Sequence, residues 1–414
     1  MNGRAKSLWQ AVAKLSRREI FGAGAAAWFA GSAPAYARRK AMFEDSIYTR
    51  LLGVRPIVTC RGHTTAFGGS LMPEEVMRAM QEANDVFVDM MELHRAAGKR
   101  IAEIMKTEAA VVSAGSFSAM LLGAAACLTG KDPAKIDALP HPTWPKKEVL
   151  IQKAHRVVYD RAYRAAGMTL REFETKEQLE AAVHPERTAM LAALASTEQN
   201  PQASVFTIQE YIALGKKHSV PVLVDAASEL PPSSNLTRWT TMGADLVVIS
   251  GGKGILGPQS SGILAGRKDL IEAALMHSSP NANIGRGMKV GKEEILGLIV
   301  ALERYSNLDH EAVQETWNKK ARYLADQLQG IPGFNAMYRV NRQGFGEVRI
   351  DWDQKVIPLT GKDAAQRLLL GDPRVMYYDD DKGGVLQTRC MKDGDEIVAA
   401  RTLRRFFSEA VRKV

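Results

Sequence analysis

One lysine and one aspartate in this 414-residue sequence have the types and the surroundings that Schiff-base chemistry requires. Lys253 lies among glycines in the segment Ser250–Gly254, and Asp225 follows the apolar run Val222–Val224. A lysine amine can condense with the aldehyde of pyridoxal 5′-phosphate (PLP), while a carboxylate can pair with the nitrogen of its pyridine ring. The glycines let the backbone approach a ligand closely because they carry no Cβ. The pattern therefore predicts PLP as the cofactor, with Lys253 and Asp225 as catalytic residues.

Polar residues at a strand-to-helix turn supply a candidate phosphate site. Ser113, Gly115, Ser116 and Ser118 lie between an apolar run that predicts a strand and an Ala-rich run that predicts a buried helix. Free N–H groups at the start of a helix, together with serine hydroxyls, can bind a phosphate. An ordinary capping turn has the same composition, so the phosphate assignment depends on the rest of the pattern.

Further polar side chains follow other predicted strands. His155 follows an apolar run and can stack on a planar ring bound at the carboxyl ends of the strands, although a lone histidine is more often a surface or structural residue. Ser250 begins the lysine segment and is another cofactor-binding candidate. Asp225 can alternatively cap a helix. A nucleotide-binding P-loop is excluded because Gly254, rather than serine or threonine, follows Lys253.

Short apolar runs alternate with amphipathic segments from about residue 108 to 290, which is typical of a mostly parallel sheet covered by helices on both faces. The segment 261–266 follows Lys253 too closely for a helical crossover, so it predicts an antiparallel strand of the same sheet. The predicted strands are 109–113, 149–152, 168–170, 190–194, 221–224 and 244–249, and the predicted helices are 117–128, 159–166 and 208–218.

The alternation ends near residue 290, where a different organisation begins. The sequence predicts a long helix over 292–305, strands over 347–352 and 385–389, and a closing helix over 396–411. Four parts are expected: an export signal (1–37), an N-terminal segment that packs on the core or on a partner subunit (38–105), a PLP-binding large domain (106–290), and a connecting helix with a small C-terminal α+β domain (291–414).

The phosphate cradle, ring stacker, pyridine partner and lysine occur in the order found in fold-type I PLP-dependent enzymes. Four segments extend this resemblance over about residues 46–410: Gly68–Pro73, Val224–Pro232, Ser250–Gly262 and Ile284–Glu294. They resemble the selenocysteine-synthase-like group and, within it, D-glucosaminate-6-phosphate ammonia-lyase-type sequences. The resemblance implies an α/β fold of the aspartate-aminotransferase type. It assigns Lys253 to the internal aldimine, Asp225 to the ring nitrogen, the segment 113–118 to the phosphate and His155 to the ring.

The same resemblance implies a PLP-dependent lyase or transferase that acts on an amino acid or an amino sugar through an external aldimine. Elimination with deamination is the expected outcome. Transamination, racemisation and β-replacement of the selenium-transferase type begin in the same way and stay open, as does a non-catalytic PLP-fold binding protein. The tRNA-dependent reaction is disfavoured because the resemblance begins almost directly after the export signal, without the extra N-terminal domain that binds tRNA. A small-molecule amine is therefore the expected substrate.

Four cationic side chains are candidates for binding the substrate. Arg61, Arg286 and Lys289 lie in glycine-rich or turn-like segments, and Arg389 lies near the end of a predicted strand. Each can bind a carboxylate or a phosphate, and each can instead be a surface or interface charge. The resemblance also implies a homodimer or a higher homo-oligomer in which a partner subunit donates some of them.

The first 37 residues predict export through the twin-arginine machinery. Arg17 and Arg18 stand in a motif of the twin-arginine type, a mildly apolar stretch follows over 21–30, and Ala35-Tyr36-Ala37 resembles a cleavage site. The apolar stretch is too short for a stable membrane span, so a periplasmic location is expected. This segment carries five basic side chains against one acidic, a large part of the net charge of +9. The rest contains no block of like charges, so no nucleic-acid partner is expected.

The cysteines and histidines predict neither a disulfide framework nor a metal site. Cys60, Cys127 and Cys390 are odd in number and far apart, which favours small buried side chains. The eight histidines are scattered without the paired spacing that metal ligands show.

Overall fold

The computed structural model describes residues 36–411, so the predicted export signal lies outside the described residues except for Tyr36 and Ala37. The described chain divides into two compact units. The large unit consists of residues 63–314 and 341–345, and the small unit consists of residues 36–62, 315–340 and 346–411. Among residues 36–411, no helix is long and apolar enough to cross a membrane.

The helices and strands are numbered here in chain order through both units. The helices are α1 (Ile47–Leu52), α2 (Glu74–Ala83), α3 (Met90–Met105), α4 (Ser116–Thr129), α5 (Pro133–Ala138), α6 (Arg161–Ala165), α7 (Lys176–Ala182), α8 (Ile208–His218), α9 (Asn235–Met242), α10 (Lys268–His277), α11 (Lys292–Ser306), α12 (His310–Gln327), α13 (Gly361–Leu370) and α14 (Asp395–Ala410). The strands are β1 (Ile57–Cys60), β2 (Ala109–Ser113), β3 (Glu148–Gln152), β4 (Thr169–Phe173), β5 (Thr188–Leu194), β6 (Val222–Asp225), β7 (Leu246–Ser250), β8 (Gly262–Gly266), β9 (Phe334–Val340), β10 (Gly346–Trp352), β11 (Arg374–Asp380) and β12 (Gly383–Gln387).

A seven-stranded sheet in the order β2-β8-β7-β6-β5-β3-β4 forms the centre of the large unit. Strand β8 is antiparallel to both β2 and β7, and the other pairings are parallel, as the sequence predicts. The carboxyl ends of the parallel strands therefore meet at one edge of the sheet, and every predicted cofactor contact follows such an end. That edge is the place where open α/β sheets bind their ligands.

Helix α4 packs on one face of this sheet, and its sequence explains how it does so. It is almost entirely buried and rich in Ala and Gly, which lets it lie close to the strands. A Cβ atom added at Gly123 would come within 2.7 Å of the Leu223 side chain and would also crowd Leu246 and Leu264. A larger residue at this position would lift the helix, whose first turn lies at the carboxyl edge of the sheet. The packing of α4 thus fixes where its N-terminus points.

The small unit contains a five-stranded sheet in the order β1-β11-β12-β10-β9. Strand β1 is parallel to β11, and the other neighbours are antiparallel. The predicted strands 347–352 and 385–389 and the closing helix correspond to β10, β12 and α14. Strands β1, β9 and β11 have no counterpart in the sequence-based expectation. Strand β1 has only four residues, and β9 and β11 include polar and charged residues, so the apolar alternation in each is short or weak.

The division into units differs from the predicted domain boundaries. Helix α11, expected to connect the domains, belongs to the large unit, where Arg304 forms an ion pair with Glu75 of α2. Residues 38–62, expected with the N-terminal segment, belong to the small unit because β1 joins its sheet. Hydrophobic periodicity identifies elements but does not reveal which distant partner each element covers.

Candidate active site

A cleft of about 690 Å³ lies in the large unit at the carboxyl edge of its sheet. Several of the elements that line it follow strand ends: the turn after β2, the segments after β5 and β6, and the loop after β7. Its polar lining includes Thr65, Ser116, Ser196, Ser228, Ser250 and Gln259, and its apolar lining includes Met72, Phe117, Val157 and Leu194. The size and the mixed lining suit a planar cofactor with a small substrate.

The loop after β7 presents Lys253 to the cleft. Backbone hydrogen bonds from Gly251 to Ser261 and from Gly257 to Gly251 close this loop into a compact turn. The backbone needs glycine at Gly254, where an added Cβ would lie 2.4 Å from the carbonyl oxygen of Leu230. The Ser70 hydroxyl also donates to the carbonyl of Gly252 at 3.1 Å. The segment around Ser70 is one of those that carry the family resemblance, and this hydrogen bond helps to hold the lysine loop in place.

The amine of Lys253 is held by a neighbouring hydroxyl and two nearby carboxylates. Its Nζ atom donates a hydrogen bond of 2.6 Å to the Oγ of Ser228. Burial lowers the pKa of Lys253, and the negative charges of Asp225 and Glu229 partly offset that shift. A lysine with a lowered pKa has a larger neutral fraction, and the neutral amine is the form that condenses with aldehydes and accepts protons.

Asp225 ends β6 inside the cleft and is only 6% exposed. Its Oδ1 accepts a hydrogen bond of 3.1 Å from the backbone N–H of Ala227. Burial raises the pKa of Asp225, while that hydrogen bond and the charge of Lys253 oppose the rise. A buried carboxylate is costly without a cationic partner, and a protonated pyridine nitrogen would be such a partner.

The turn between β2 and α4 brings a helix N-terminus to the cleft. Gly115 has φ +85°, a conformation that residues with a Cβ rarely adopt, and it starts the 14-residue helix α4 at Ser116. Both residues line the cleft. The first N–H groups of a helix have no partner within the helix and attract anions, so this end of α4 can hold a phosphate.

Two of the serines predicted to bind the phosphate face elsewhere. The Ser113 hydroxyl donates to the carbonyl of Gly115 at 3.0 Å, and the Ser118 hydroxyl donates to the carbonyl of Ala114 at 2.8 Å. Both residues are buried and neither lines the cleft. A hydroxyl has one proton to donate, and a phosphate dianion needs donors. The structure therefore corrects these two assignments and leaves Ser116 as the serine of this turn that faces the site.

His155 is a structural residue rather than a ring stacker. It lies in a 3₁₀ turn just after β3 and is fully buried. Its Nδ1 accepts from the backbone N–H of Leu194 at 3.0 Å, and its Nε2 is 2.8 Å from the carbonyl of Phe206, to which it donates. Burial lowers its pKa to about 4, so the ring is neutral. This geometry corrects the prediction that His155 stacks on the cofactor, because its ring does not line the cleft.

Glu229 and Ser228 are site residues that the sequence analysis did not single out. Both line the cleft four and three residues after Asp225. Glu229 is 5% exposed, and its Oε2 accepts a hydrogen bond of 2.8 Å from the Gln199 amide. Burial raises the pKa of Glu229, the Gln199 hydrogen bond opposes this, and Asp225 adds to it. The sequence contained one indication of Glu229. It is a charged residue in the mostly apolar segment Val224–Pro232, and burying a charge is costly unless the residue has a function there.

The four candidate substrate cations are distributed over both units. In the small unit, Arg61 follows β1 and stacks on Tyr378 at 4.8 Å, while Arg389 donates to the Gln387 amide oxygen at 2.9 Å. Arg61 also forms an isolated bridge with Gln387, so these two arginines converge on one glutamine.

In the large unit, Arg286 and Lys289 lie in and next to an exposed 3₁₀ turn. Neither side chain lines the cleft. Their assignment to the substrate stays a prediction.

Within residues 36–411, the cysteines show no sign of a reactive thiol, and the metal-binding side chains form no cluster that could hold a metal ion. Burial raises the pKa of the Cys390 thiol to about 11 and raises those of Cys60 and Cys127 further. No group of three or more His, Cys, Asp or Glu residues that could hold a metal lies together within that range.

The donor set of the cleft fits the three polar ends of PLP. Lys253 offers an amine for the aldehyde, and Asp225 offers a buried carboxylate that requires a cation for the ring nitrogen. The N-terminus of α4, with Gly115 and Ser116, offers N–H donors for the phosphate. A Cβ at Gly262 would lie 2.5 Å from the carbonyl carbon of Gly115, so the backbone here is packed closely around the phosphate site.

Comparisons with known proteins identify the family and agree with PLP as the cofactor. Residues 152–351 match the aminotransferase class-V family. The chain is 35% identical over 294 residues to a 5′-C-glycyluridine monooxygenase-decarboxylase of a Streptomyces species, covering 69% of this chain and 72% of that protein. It is 27% identical over 338 residues to the D-glucosaminate-6-phosphate ammonia lyase of Salmonella typhimurium, covering 79% and 88%. A solved structure of D-glucosaminate-6-phosphate ammonia-lyase superposes with a TM-score of 0.78 at 25% identity, covering 88% of this chain and 99% of that one.

Proposed function

We infer that this chain, which belongs to the aminotransferase class-V family of PLP-dependent enzymes, eliminates a leaving group from an amino acid or amino sugar and releases ammonia. The expectation of a fold-type I PLP enzyme similar to the ammonia lyase is confirmed. The observation that carries the proposed reaction is the position of the Lys253 amine, held by Ser228 in a cleft whose walls supply three carboxylates.

When bound, PLP withdraws electrons from the Cα atom of an attached amine and so makes its proton removable. The residues of this chain supply the other requirements. Lys253, with its lowered pKa, accepts the Cα proton. Asp225 would pair with the ring nitrogen and favour its positively charged form, and the N-terminus of α4 would hold the phosphate end. A group then departs from Cβ, and water hydrolyses the unsaturated product to a keto acid and ammonia.

The charge of the cleft favours a hydroxyl-rich, unphosphorylated substrate. Lys253 is the only cationic side chain among the described residues that line the cleft, whereas Asp225, Glu229 and Glu294 are acidic. Carboxylates accept hydrogen bonds from hydroxyl and ammonium groups, and they repel a doubly charged phosphate group more strongly than the single charge of a substrate carboxylate. An amino acid or amino sugar acid without a phosphate group is therefore the proposed substrate class.

A second candidate is the oxygen-dependent decarboxylation named for the Streptomyces relative. The specific reason to retain it is the identity of 35%, against 27% for the ammonia lyase. Such a reaction would consume molecular oxygen and release carbon dioxide, which elimination does not.

An amine-substrate screen distinguishes the two reactions. Purified enzyme with PLP is incubated with amino acids, amino sugar acids and 5′-C-glycyluridine, and ammonia, keto acid, oxygen and carbon dioxide are followed together. Elimination gives equal amounts of ammonia and keto acid without oxygen uptake. Oxygen uptake matched by carbon dioxide would favour the second candidate. Transamination would give keto acid without free ammonia, and racemisation would give neither product.

The Lys253→Ala variant tests whether the protein is an enzyme of this kind or a non-catalytic PLP-fold protein. We expect it to lose the borohydride-reducible absorbance of the PLP adduct and all turnover, because no other lysine lines the cleft in the described chain. Lys268→Ala, at the start of α10, removes an equivalent charge outside the cleft and is the matched control. A reducible chromophore that persists in Lys253→Ala would contradict the assignment.

We further propose that the enzyme is a homo-oligomer. Helix α1 of the small unit has no buried residue although it presents Ile47, Leu51 and Leu52, and Phe87 of the large unit is fully exposed. Large exposed apolar residues in such number favour association. Light scattering should give a mass of at least two subunits, and replacement of Leu51 and Phe87 by Asp should reduce it.

We also propose that the protein is exported folded to the periplasm. The support is the twin-arginine motif at Arg17 and Arg18 and the small-x-small sequence that ends at Ala37. Cleavage after Ala37 would leave Arg39, which forms an ion pair with the buried Asp395, in the mature chain. Arg17→Lys/Arg18→Lys should retain the uncleaved protein in the cytosol, and an unchanged periplasmic fraction would contradict the proposal.

A further inference from the structure

The cleft contains a buried carboxylate, Glu229, that the proposed binding of the cofactor does not use. Glu229 lines the cleft together with Lys253 and Asp225, yet Asp225 already supplies the carboxylate that the ring nitrogen requires. Burying a second carboxylate so close to the first is unfavourable, since like charges repel in a site with little water. The chain nevertheless holds Glu229 in place from both its side chain and its backbone.

The contacts of Glu229 orient it toward the site. The Gln199 amide donates to Oε2 at 2.8 Å, and the Asn235 amide donates to the backbone carbonyl of the same residue at 2.8 Å. Asn235 is itself buried at the start of α9. Gln199 is fixed by a hydrogen bond of 3.3 Å from Arg342 to its backbone carbonyl. These contacts hold the carboxyl group at the wall of the cleft.

The surroundings of Glu229 and Lys253 shift the pKa values of the two groups in opposite directions. Burial raises the pKa of Glu229 and lowers the pKa of Lys253. Glu229 is thereby made a better proton donor near neutral pH than an exposed glutamate, and Lys253 a better proton acceptor than an exposed lysine. Pairs of groups shifted apart in this way divide the roles of acid and base in enzymes that need both.

We propose that Glu229 is the general acid that protonates a departing hydroxyl group at Cβ of the substrate. This inference rests on the proposed elimination. The Cα–H bond breaks and its proton goes to Nζ of Lys253. The Cβ–O bond breaks, the oxygen leaves with the bonding electrons, and it takes the proton of Glu229. A double bond forms between Cα and Cβ, so the step releases one water and involves no net oxidation.

The leaving group provides the decisive test. A hydroxyl is a poor leaving group unless it is protonated, whereas chloride departs without a proton. D-glucosaminate, D-serine and L-serine serve as hydroxyl probes, and the D and L forms of β-chloroalanine serve as chloride probes. Keto acid release is measured for the wild-type holoenzyme, for Glu229→Gln, and for Glu180→Gln as the matched control. Glu180 lies on α7, where it forms an ion pair with Lys217 outside the cleft.

We expect Glu229→Gln to lose about 100-fold or more in turnover of the hydroxyl probes, the size of effect that general acids provide, and to keep the chloride reaction within about threefold. Two measurements without elimination separate this role from a structural one. The absorbance and borohydride reduction of bound PLP should be unchanged in Glu229→Gln. Exchange of the Cα proton of the hydroxyl probes in heavy water should also continue, because Lys253 carries out that step.

Each contrary result has a defined meaning. An equal loss with hydroxyl and chloride probes, or no loss with either, would overturn the role of Glu229 and leave the proposed elimination intact. If the wild-type enzyme turns over only the chloride probes, that result would also overturn the role of Glu229. Failure of the wild-type enzyme to release keto acid from any of the five probes would instead overturn the proposed function. A Glu229→Gln variant that has lost the PLP absorbance would show that the residue holds the cofactor site, which also overturns the inference.

Discussion

The Nζ atom of Lys253 donates a hydrogen bond of 2.6 Å to the Oγ atom of Ser228. Ser228 follows β6 and Lys253 follows β7, and these strands are parallel neighbours. The bond therefore joins two loops at the carboxyl edge of the sheet and fixes a flexible side chain above it. It also gives the Lys253 amine a hydroxyl partner in addition to the nearby charges of Asp225 and Glu229.

Removal of the Ser228 hydroxyl should slow the chemistry of Lys253 without abolishing cofactor binding. We expect Ser228→Ala to reduce turnover about three- to tenfold, which corresponds to the roughly 1 kcal/mol of an ordinary hydrogen bond. Ser228→Thr, which retains a hydroxyl, should recover most of the rate. Ser234→Ala, an exposed serine before α9, is the control. Rates are measured with saturating PLP, and an unchanged rate for Ser228→Ala would show that the bond has no catalytic role.

Asp225→Asn should have opposite effects on the stability of the cofactor-free and PLP-bound protein. Because burial raises the pKa of Asp225, the folded state favours its protonated form, and the cost of its charge appears as pH rises above the ordinary value near 3.8. The variant should therefore unfold at a higher temperature than wild type without PLP at pH 7.5, and the difference should vanish near pH 3.

With PLP bound, the charged ring nitrogen would give Asp225 a cationic partner in addition to the Ala227 hydrogen bond and the charge of Lys253. PLP should therefore stabilise wild type more than Asp225→Asn, and turnover of the variant should fall about 100-fold or more because it lacks this charge. Thermal unfolding with and without PLP measures both effects. Equal stabilisation of the two proteins by PLP would contradict the pairing.

The phosphate site should depend on Ser116 and not on Ser118. Ser116→Ala is expected to weaken PLP binding about tenfold, the effect of losing one hydrogen bond to a charged group. The Ser118 hydroxyl already donates to Ala114, so Ser118→Ala should leave the affinity for PLP unchanged. Pyridoxal without the phosphate should bind both variants like wild type. A weaker binding of pyridoxal by Ser116→Ala would locate the effect away from the phosphate.

Replacement of His155 by Phe should destabilise the protein by about 3 kcal/mol at pH 7.5, because it leaves the N–H of Leu194 and the carbonyl of Phe206 unpaired in the interior. The absorption band of bound PLP should stay where it is. Chemical denaturation and absorbance measure the two effects. A shifted band with unchanged stability would restore the stacking role.

The cost of the His155→Phe change should also depend on pH. Burial lowers the pKa of His155 from 6.5 to about 4, so the neutral ring contributes stability that is present above about pH 6.5 and is lost as pH falls toward 4. The variant has no ionisable group at this position. The difference in the free energy of unfolding between wild type and variant should therefore shrink between pH 6.5 and pH 4. A constant difference would show that the ring titrates normally.

The sequence by itself determined the cofactor, the order of the elements and the residues that must lie together. Strand–helix alternation dictates a parallel sheet, and a parallel sheet brings the ends of its strands to one edge, so Asp225, Ser116 and Lys253 had to meet there. The antiparallel β8 followed from the short distance after Lys253, whereas the export signal in the first 37 residues stays a prediction.

Only the tertiary structure decided which polar side chains face the cleft. His155 follows a strand as Asp225 does, but a 3₁₀ turn directs its ring to the ends of β5 and the segment before α8. Ser113 and Ser118 differ from Ser116 by no more than two or three positions, yet their hydroxyls bond to the backbone instead. Glu229 enters the site through contacts with Gln199 and Asn235. The direction of a side chain after a strand end is set by such distant partners, and sequence spacing does not contain them.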